Sequence, residues 1–169
     1  MFPEAKGREL TDRLIAFVLE ELGIRGFELK RSEKGKPYLV NLREALREES
    51  PEKGALYKQV HLSVSHSGEL FACLIDEENT GVDIQQYRNV EQIKIARRYF
   101  DDREIEYVKK YGSAGFFKLW TRKEAYCKYT GRGLEEIMSG TQVLEREDVE
   151  FIDFQLGGGI YCSCCVKRR

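Results

Sequence analysis

The run Trp120-Thr121-Arg122-Lys123-Glu124-Ala125-Tyr126-Cys127-Lys128 holds a carboxylate and two ammonium groups within nine residues. On a helix, Trp120, Glu124 and Lys128 fall near one face, so an apolar anchor, a carboxylate and an ammonium line up. Taken alone, that pattern reads as a surface ion pair worth about 0.2–0.5 kcal/mol. A second carboxylate, Asp83, ends the apolar run Gly81-Val82-Asp83-Ile84, where the glycine frees the preceding backbone. A strand-end carboxylate brought against a helix carboxylate makes a hard oxygen site, which magnesium completes with water and substrate phosphates. The triplet Ser65-His66-Ser67 is a third candidate. A loop histidine is ordinarily structural or solvated, but one flanked by hydroxyls can bind a phosphate. It lacks the nucleophile elbow and acidic partner of a hydrolase site.

The elements that must position these residues are legible from periodicity. Leu10, Leu14, Phe17, Val18 and Leu22 share helical spacing, with Gly23 as a stop. Gly35-Lys36-Pro37 punctuates the chain, a short helix is expected over 39–48, and 51–54 reads as a loop. Val60, Leu62 and Val64 alternate with polar residues, Ser67-Gly68 supplies a turn, and 70–75 returns as the second strand of a hairpin. A short strand follows at 81–84, then helices at 90–100, from Asp101 to about 111 with Glu104 at capping-box distance, and over 115–129 with Ser113 as N-cap. Gly131 and Gly133 end the last of these, and 149–156 with 160–166 form a second hairpin around Gly157-Gly158-Gly159. Helix followed by hairpin thus occurs twice. The expected fold class is α+β, a single domain over 1–169 built of two pseudo-symmetric lobes of helix plus antiparallel sheet, about 1–84 and 85–169.

With 169 residues and a net charge of -1, the chain is a globular protein in which any anion site must be local. The apolar runs are strand-sized, far short of the roughly 20 residues of a membrane helix, so no membrane association is expected. The N-terminal residues have no signal-peptide pattern, and the odd count of five cysteines shows no disulfide framework, which predicts a cytoplasmic location. Cys162, Cys164 and Cys165 lie in a strand-like run, where alternate residues face opposite sides, and read as buried thiols rather than a zinc site.

Together, Gly81-Val82-Asp83 and Trp120-x-x-Lys123-Glu124-Ala125-x-x-Lys128 resemble the 4'-phosphopantetheinyl transferase superfamily, in its monomeric, two-lobed form that modifies carrier proteins. The resemblance runs over 35–134, and Gly35-Lys36-Pro37, Ser65-His66 and Gly131-x-Gly133-Leu134 fall at its other landmarks. It implies transfer of the 4'-phosphopantetheine group of coenzyme A to a serine of an apo acyl or peptidyl carrier protein. Asp83 and Glu124 would hold Mg2+ against the coenzyme A pyrophosphate, and Glu124 or a water in the metal's shell would accept the serine proton. Lys128 would neutralise the same phosphates, while Lys36, Ser65 and His66 match positions at the adenosine 3'-phosphate and adenine end. Lys123 matches the motif without a defined role.

Two departures stand out. The family often has an acidic residue two positions after the metal-binding aspartate; here it is Gln85, a possible metal ligand through its oxygen or through a water. The chain is also shorter than many two-lobed members, particularly in the N-terminal lobe. For carrier docking, the resemblance points to the stretch after Asp83, where Ile93, Ile95, Tyr99 and Phe100 alternate with Lys94, Arg97 and Arg98. A core-facing helix with a solvated basic side explains the same residues. The competing functions are a degenerate module that binds coenzyme A without transfer, and an RNA-binding protein using the 94–98 region, although no RNA motif is recognisable. The leading expectation includes no nucleic-acid partner and a monomer.

Overall fold

A computed structural model describes residues 7–25, 27–33, 35–40, 60–133, 136–137 and 139–168. The chain divides into two compact units, Met1–His61 and Leu62–Arg169.

In the first unit, helix α1 spans Gly7–Glu21 and buries Ile15 and Leu19. Phe17, two positions from each and therefore near the opposite side, is half exposed, and Leu22 lies beyond the helix end and is also exposed. The buried face is therefore centred on Ile15 and Leu19, not on all five residues of the expected stripe. Gly23, at φ 69°, does stop the helix. The Ile24 N–H then donates back to Leu19 O at 2.8 Å, the bond that closes a left-handed helix terminus. Strands β1 (Glu28–Arg31) and β2 (Pro37–Val40) pair antiparallel, with Arg31 opposite Pro37. Gly35-Lys36-Pro37 is thus the exit from a hairpin turn and the start of a strand. Leu39 and Val40 belong to β2, not to the helix expected over 39–48. The remainder of that segment, 41–48, and the loop expected at 51–54 lie outside the described residues.

The second unit contains Asp83, Glu124 and Lys128. Strands β3 (His61–Ser67) and β4 (Leu70–Asp76) form the first expected hairpin, turning at Gly68 with φ 60°. Strand β5 (Thr80–Gln86) joins β6 (Val149–Gln155) and β7 (Ile160–Lys167) in an antiparallel sheet of order β5-β7-β6. Val82 is opposite Cys164, which is opposite Ile152, and Asp83 is opposite Ser163, which is opposite Asp153. The alternation sorts the sheet into two faces. Val82, Ile84 and Cys162 pack under Leu70, Ala72 and Leu74 of β4. Gly81, Asp83, Ser163 and Asp153 turn to the opposite side.

Helix α2 spans Gln92–Tyr99 and α3 spans Asp102–Thr130. Asp101 caps α3 reciprocally: Glu104 N–H donates to Asp101 Oδ1 at 2.8 Å, and Asp101 N–H to Glu104 Oε2 at 3.2 Å. The two helices expected on either side of Gly112 are both present within α3, parted by a kink where Gly112 leaves helical geometry at φ 58° and ψ −139°. Ser113 does not act as an N-cap; its hydroxyl accepts from Gln92 Nε2 at 2.8 Å and ties α2 to α3. Gly131, in the left-handed region, ends α3, its N–H donating to Cys127 O at 2.9 Å. The main core lies on the α3 side of the sheet, with Phe100, Val108, Phe116, Leu119, Val143 and Val149 at its centre. The molecule is α+β in class, as the alternation of periodicities predicts. Among the described residues no helix is long and apolar enough to cross a membrane.

Candidate active site

Asp83 is the buried centre of the site, 3% exposed. Its Oδ1 accepts from Ser65 Oγ at 2.7 Å and from Lys128 Nζ at 2.8 Å, and Lys128 also donates to Val82 O at 2.9 Å. Its Oδ2 accepts from Gln85 Nε2 at 3.4 Å, a weak contact by length. Glu124, one helical turn before Lys128, feels both groups. Burial raises its carboxyl pKa, the nearby Asp83 charge raises it further, and Lys128 opposes both. The site thus brings two carboxylates close enough to repel, with one ammonium against them. The lysine at the end of the helix motif is committed to the buried aspartate of β5.

Two features of β5 and β3 create this arrangement. A Cβ at Gly81 would lie 1.9 Å from Ala125 O and 2.7 Å from Tyr129 N, so only glycine lets α3 lie directly on the strand. Close approach, and not the backbone freedom expected from sequence, is what Gly81 supplies. Along β3, alternate serines reach β5: Val82 N–H donates to Ser63 Oγ at 3.0 Å, Ser65 holds Asp83, and Gln86 N–H donates to Ser67 Oγ at 2.9 Å. These hydroxyls satisfy polar groups on either side of the carboxylate, which fixes the strand that carries it.

The structure gathers Asp83, Glu124, Lys128, Ser65 and Gln85 into one place. Ser65-His66-Ser67 forms the end of β3 rather than a loop, and the exposed His66 alternates with the serines that reach β5. A serine hydroxyl has one proton, and that of Ser65 goes to Asp83. Lys36 lies in the first unit, immediately before β2, where burial lowers its ammonium pKa.

Lys123, adjacent to Glu124, turns into the core. It is 1% exposed and pairs with the fully buried Glu104 at 2.7 Å, while also donating to Thr141 O and lying over the Phe100 ring. The other Glu104 oxygen accepts from Val143 N–H at 2.7 Å. This pair pins the start of α3, its middle and the 141–143 segment together, and gives the motif lysine a place in the core. Sequence reasoning missed it, although the capping glutamate and the motif lysine were both in view. It also missed Ser63 as a partner of β5 and Arg88, which donates to Gln85 Oε1 at 3.2 Å.

On α2, Ile95, Tyr99 and Phe100 belong to the core, whereas Ile93, Lys94, Arg97 and Arg98 are exposed. The helix is core-facing with a basic solvated side. The five cysteines are free thiols, and Cys162 and Cys164 share a sheet face while Cys165 turns to the other. Burial pushes Cys165 up to about 12 and Cys73 up to about 11.

The chain is 30% identical over 122 residues to the 4'-phosphopantetheinyl transferase gsp of Aneurinibacillus migulanus, covering 63% of this chain and 51% of that one. It is 29% identical over 146 residues to the 4'-phosphopantetheinyl transferase HetI of Nostoc sp., covering 80% and 56%. To the 4'-phosphopantetheinyl transferase Sfp of Bacillus subtilis it is 29% identical over 92 residues, covering 52% and 41%. The chain therefore spans about half the length of these relatives. The model of the 4'-phosphopantetheinyl transferase superfamily matches residues 79–164, from the start of β5 into β7 and including the whole of α3. This chain belongs to the 4'-phosphopantetheinyl transferase superfamily.

Proposed function

We propose that the protein transfers the 4'-phosphopantetheine group of coenzyme A to a serine of an apo acyl or peptidyl carrier protein. The observation that carries the reading is the convergence of Asp83, Glu124 and Lys128, contributed by the strand and helix that the family model spans. In the reaction, the serine oxygen bonds to the phosphorus next to the pantetheine. The bond from that phosphorus to the bridging oxygen breaks, and adenosine 3',5'-bisphosphate leaves. Such a displacement needs positioning and charge stabilisation more than a protein nucleophile.

The residues present fit Mg2+. Glu124 lies near enough to the buried Asp83 for that charge to oppose its ionisation, an arrangement that favours a cation, and magnesium commonly uses one or two carboxylates together with water and phosphate oxygens. Among the described residues no three His, Cys, Asp or Glu side chains gather at one point, so phosphates and water would complete the shell. Asp83 and Glu124 would hold the ion, which when bound withdraws charge from the pyrophosphate. Glu124 also stands as acceptor of the serine proton. Lys128, oriented by Val82 O and Asp83, would supply positive charge to the leaving group as it gains negative charge. His66, with Ser65 beside it, is assigned to the adenosine 3'-phosphate and adenine end. The exposed cations Lys94, Arg97 and Arg98 of α2 suit an acidic carrier surface by charge. Five unpaired thiols accord with a reducing, cytoplasmic setting.

The test is one reaction mixture containing the protein, coenzyme A, Mg2+ and a panel of apo carrier proteins, read by intact mass. Gain of one phosphopantetheine mass on a carrier is the expected result. Binding of coenzyme A with no transfer to any carrier would replace this reading with that of a degenerate coenzyme A module.

A further inference from the structure

Gln85 stands between a group that can only donate and one that, ionised, can only accept. Arg88 Nη2 is 3.2 Å from Gln85 Oε1, and Gln85 Nε2 is 3.4 Å from Asp83 Oδ2. A guanidinium has no acceptor and a carboxylate no donor, so the two neighbours together fix the amide one way round. Its oxygen goes to Arg88 and its nitrogen to Asp83. An amide nitrogen is no ligand for a hard cation, which takes oxygen. The sequence leaves Gln85 as a possible ligand in place of an acid; the geometry gives it other work.

We propose that Arg88 and Gln85 form one positioning pair for Asp83. Arg88 holds the Gln85 oxygen, and Gln85 presents its N–H to Asp83 Oδ2 and does not itself ligate the metal. Asp83 is then oriented at both oxygens, closely at Oδ1 by Ser65 and Lys128 and lightly at Oδ2 by Gln85. Supporting contacts of this kind set the direction in which a ligating carboxylate presents its lone pairs. The inference rests on Asp83 and Glu124 being the cation's ligands. A further consequence concerns a glutamate at position 85, which would meet an arginine on one side and a like charge on the other. Arg88 would hold that carboxylate as it holds the amide, and only without Arg88 would the carboxylate swing toward the metal.

Direct binding of Mn2+, followed by the electron paramagnetic resonance of the free ion with coenzyme A present, tests the pair without requiring turnover. Gln85→Ala should weaken Mn2+ by on the order of 10-fold, the usual size of a lost supporting contact. Arg88→Ala should weaken it by no more than that, and the double variant should be no weaker than Gln85→Ala, because Arg88 acts only through Gln85. Gln85→Glu should tighten Mn2+ only in the Arg88→Ala background. Abolished binding in Gln85→Ala would make Gln85 a direct ligand and overturn the proposal. So would unchanged binding in Gln85→Ala, additive losses in the double variant, or an equal gain from Gln85→Glu with and without Arg88. A wild-type protein that takes up no Mn2+ would overturn the underlying cation reading instead, and this inference with it.

Discussion

Ala125 O occupies the place where a side chain on Gly81 would begin, 1.9 Å from the position of a Cβ. The contact is backbone on backbone, so no rotamer change relieves it. It sets the depth at which α3 lies on β5, and thereby the reach of Lys128 to Asp83 at 2.8 Å.

Gly81→Ala should therefore push the helix off the strand. The expected overpacking cost is about 1–3 kcal/mol, read as a lower urea midpoint, together with weakened Mn2+ binding. Gly131→Ala is the contrast: a Cβ there meets nothing, but φ 72° makes the substitution strained. It should lose stability, by about 1–2 kcal/mol, while retaining Mn2+ affinity. Equal effects of the two variants on metal binding would remove Gly81 from its role in the site.

The neighbouring lysines of the motif should fail in different ways. Lys123→Met leaves Glu104 as an unpaired charge in the core, at a cost of about 3–5 kcal/mol by chemical denaturation. The fraction that remains folded should keep its affinity for coenzyme A. Lys128→Ala should instead leave a folded protein whose transfer is slowed. A stable Lys123→Met protein with weakened coenzyme A binding would place Lys123 in the site after all.

How far sequence reached can be judged from these two lysines. Periodicity gave the β3–β4 and β6–β7 hairpins, the capping box at Asp101 and the stop at Gly131, because each depends on residues close together in the chain. The pairing of Asp83 with a helix carboxylate was readable only through the combined motif. Spacing could not show that Lys123 turns into the core while Lys128 turns to Asp83, since that depends on which side of α3 meets the sheet. The β1–β2 hairpin was missed because its strands are only four residues long and lack clean alternation. The break expected at Gly112 is present, since glycine alone readily takes the non-helical φ 58° and ψ −139° found there.

Glu124 gives a pH dependence whose sign is fixed. Burial and the Asp83 charge raise its pKa in the folded protein, so the protonated form is favoured there. That contribution to stability is fully present below the unfolded glutamate value of about 4.3 and is lost as pH rises through the folded value. In metal-free buffer, Glu124→Gln should gain stability relative to wild type between pH 4 and pH 7, compared by urea midpoints. A difference between the two proteins that stays constant over this range would show that Glu124 titrates normally.

His66 is assigned to the 3'-phosphate and can be tested by ligand comparison. His66→Ala should weaken coenzyme A severalfold while leaving dephospho-coenzyme A nearly unchanged, measured as binding constants because KM mixes binding with chemistry. Equal losses for both ligands would place His66 elsewhere.

The most direct test of the account is the rate of phosphopantetheine transfer to a carrier protein by wild type, Asp83→Asn and Glu124→Gln, each checked for wild-type-like circular dichroism. Each substitution removes a negative charge where a divalent cation is proposed to sit, and the account predicts loss of at least about 100-fold in rate, the scale of a lost transition-state electrostatic contact. A folded Asp83→Asn or Glu124→Gln protein that transfers at near the wild-type rate would contradict it.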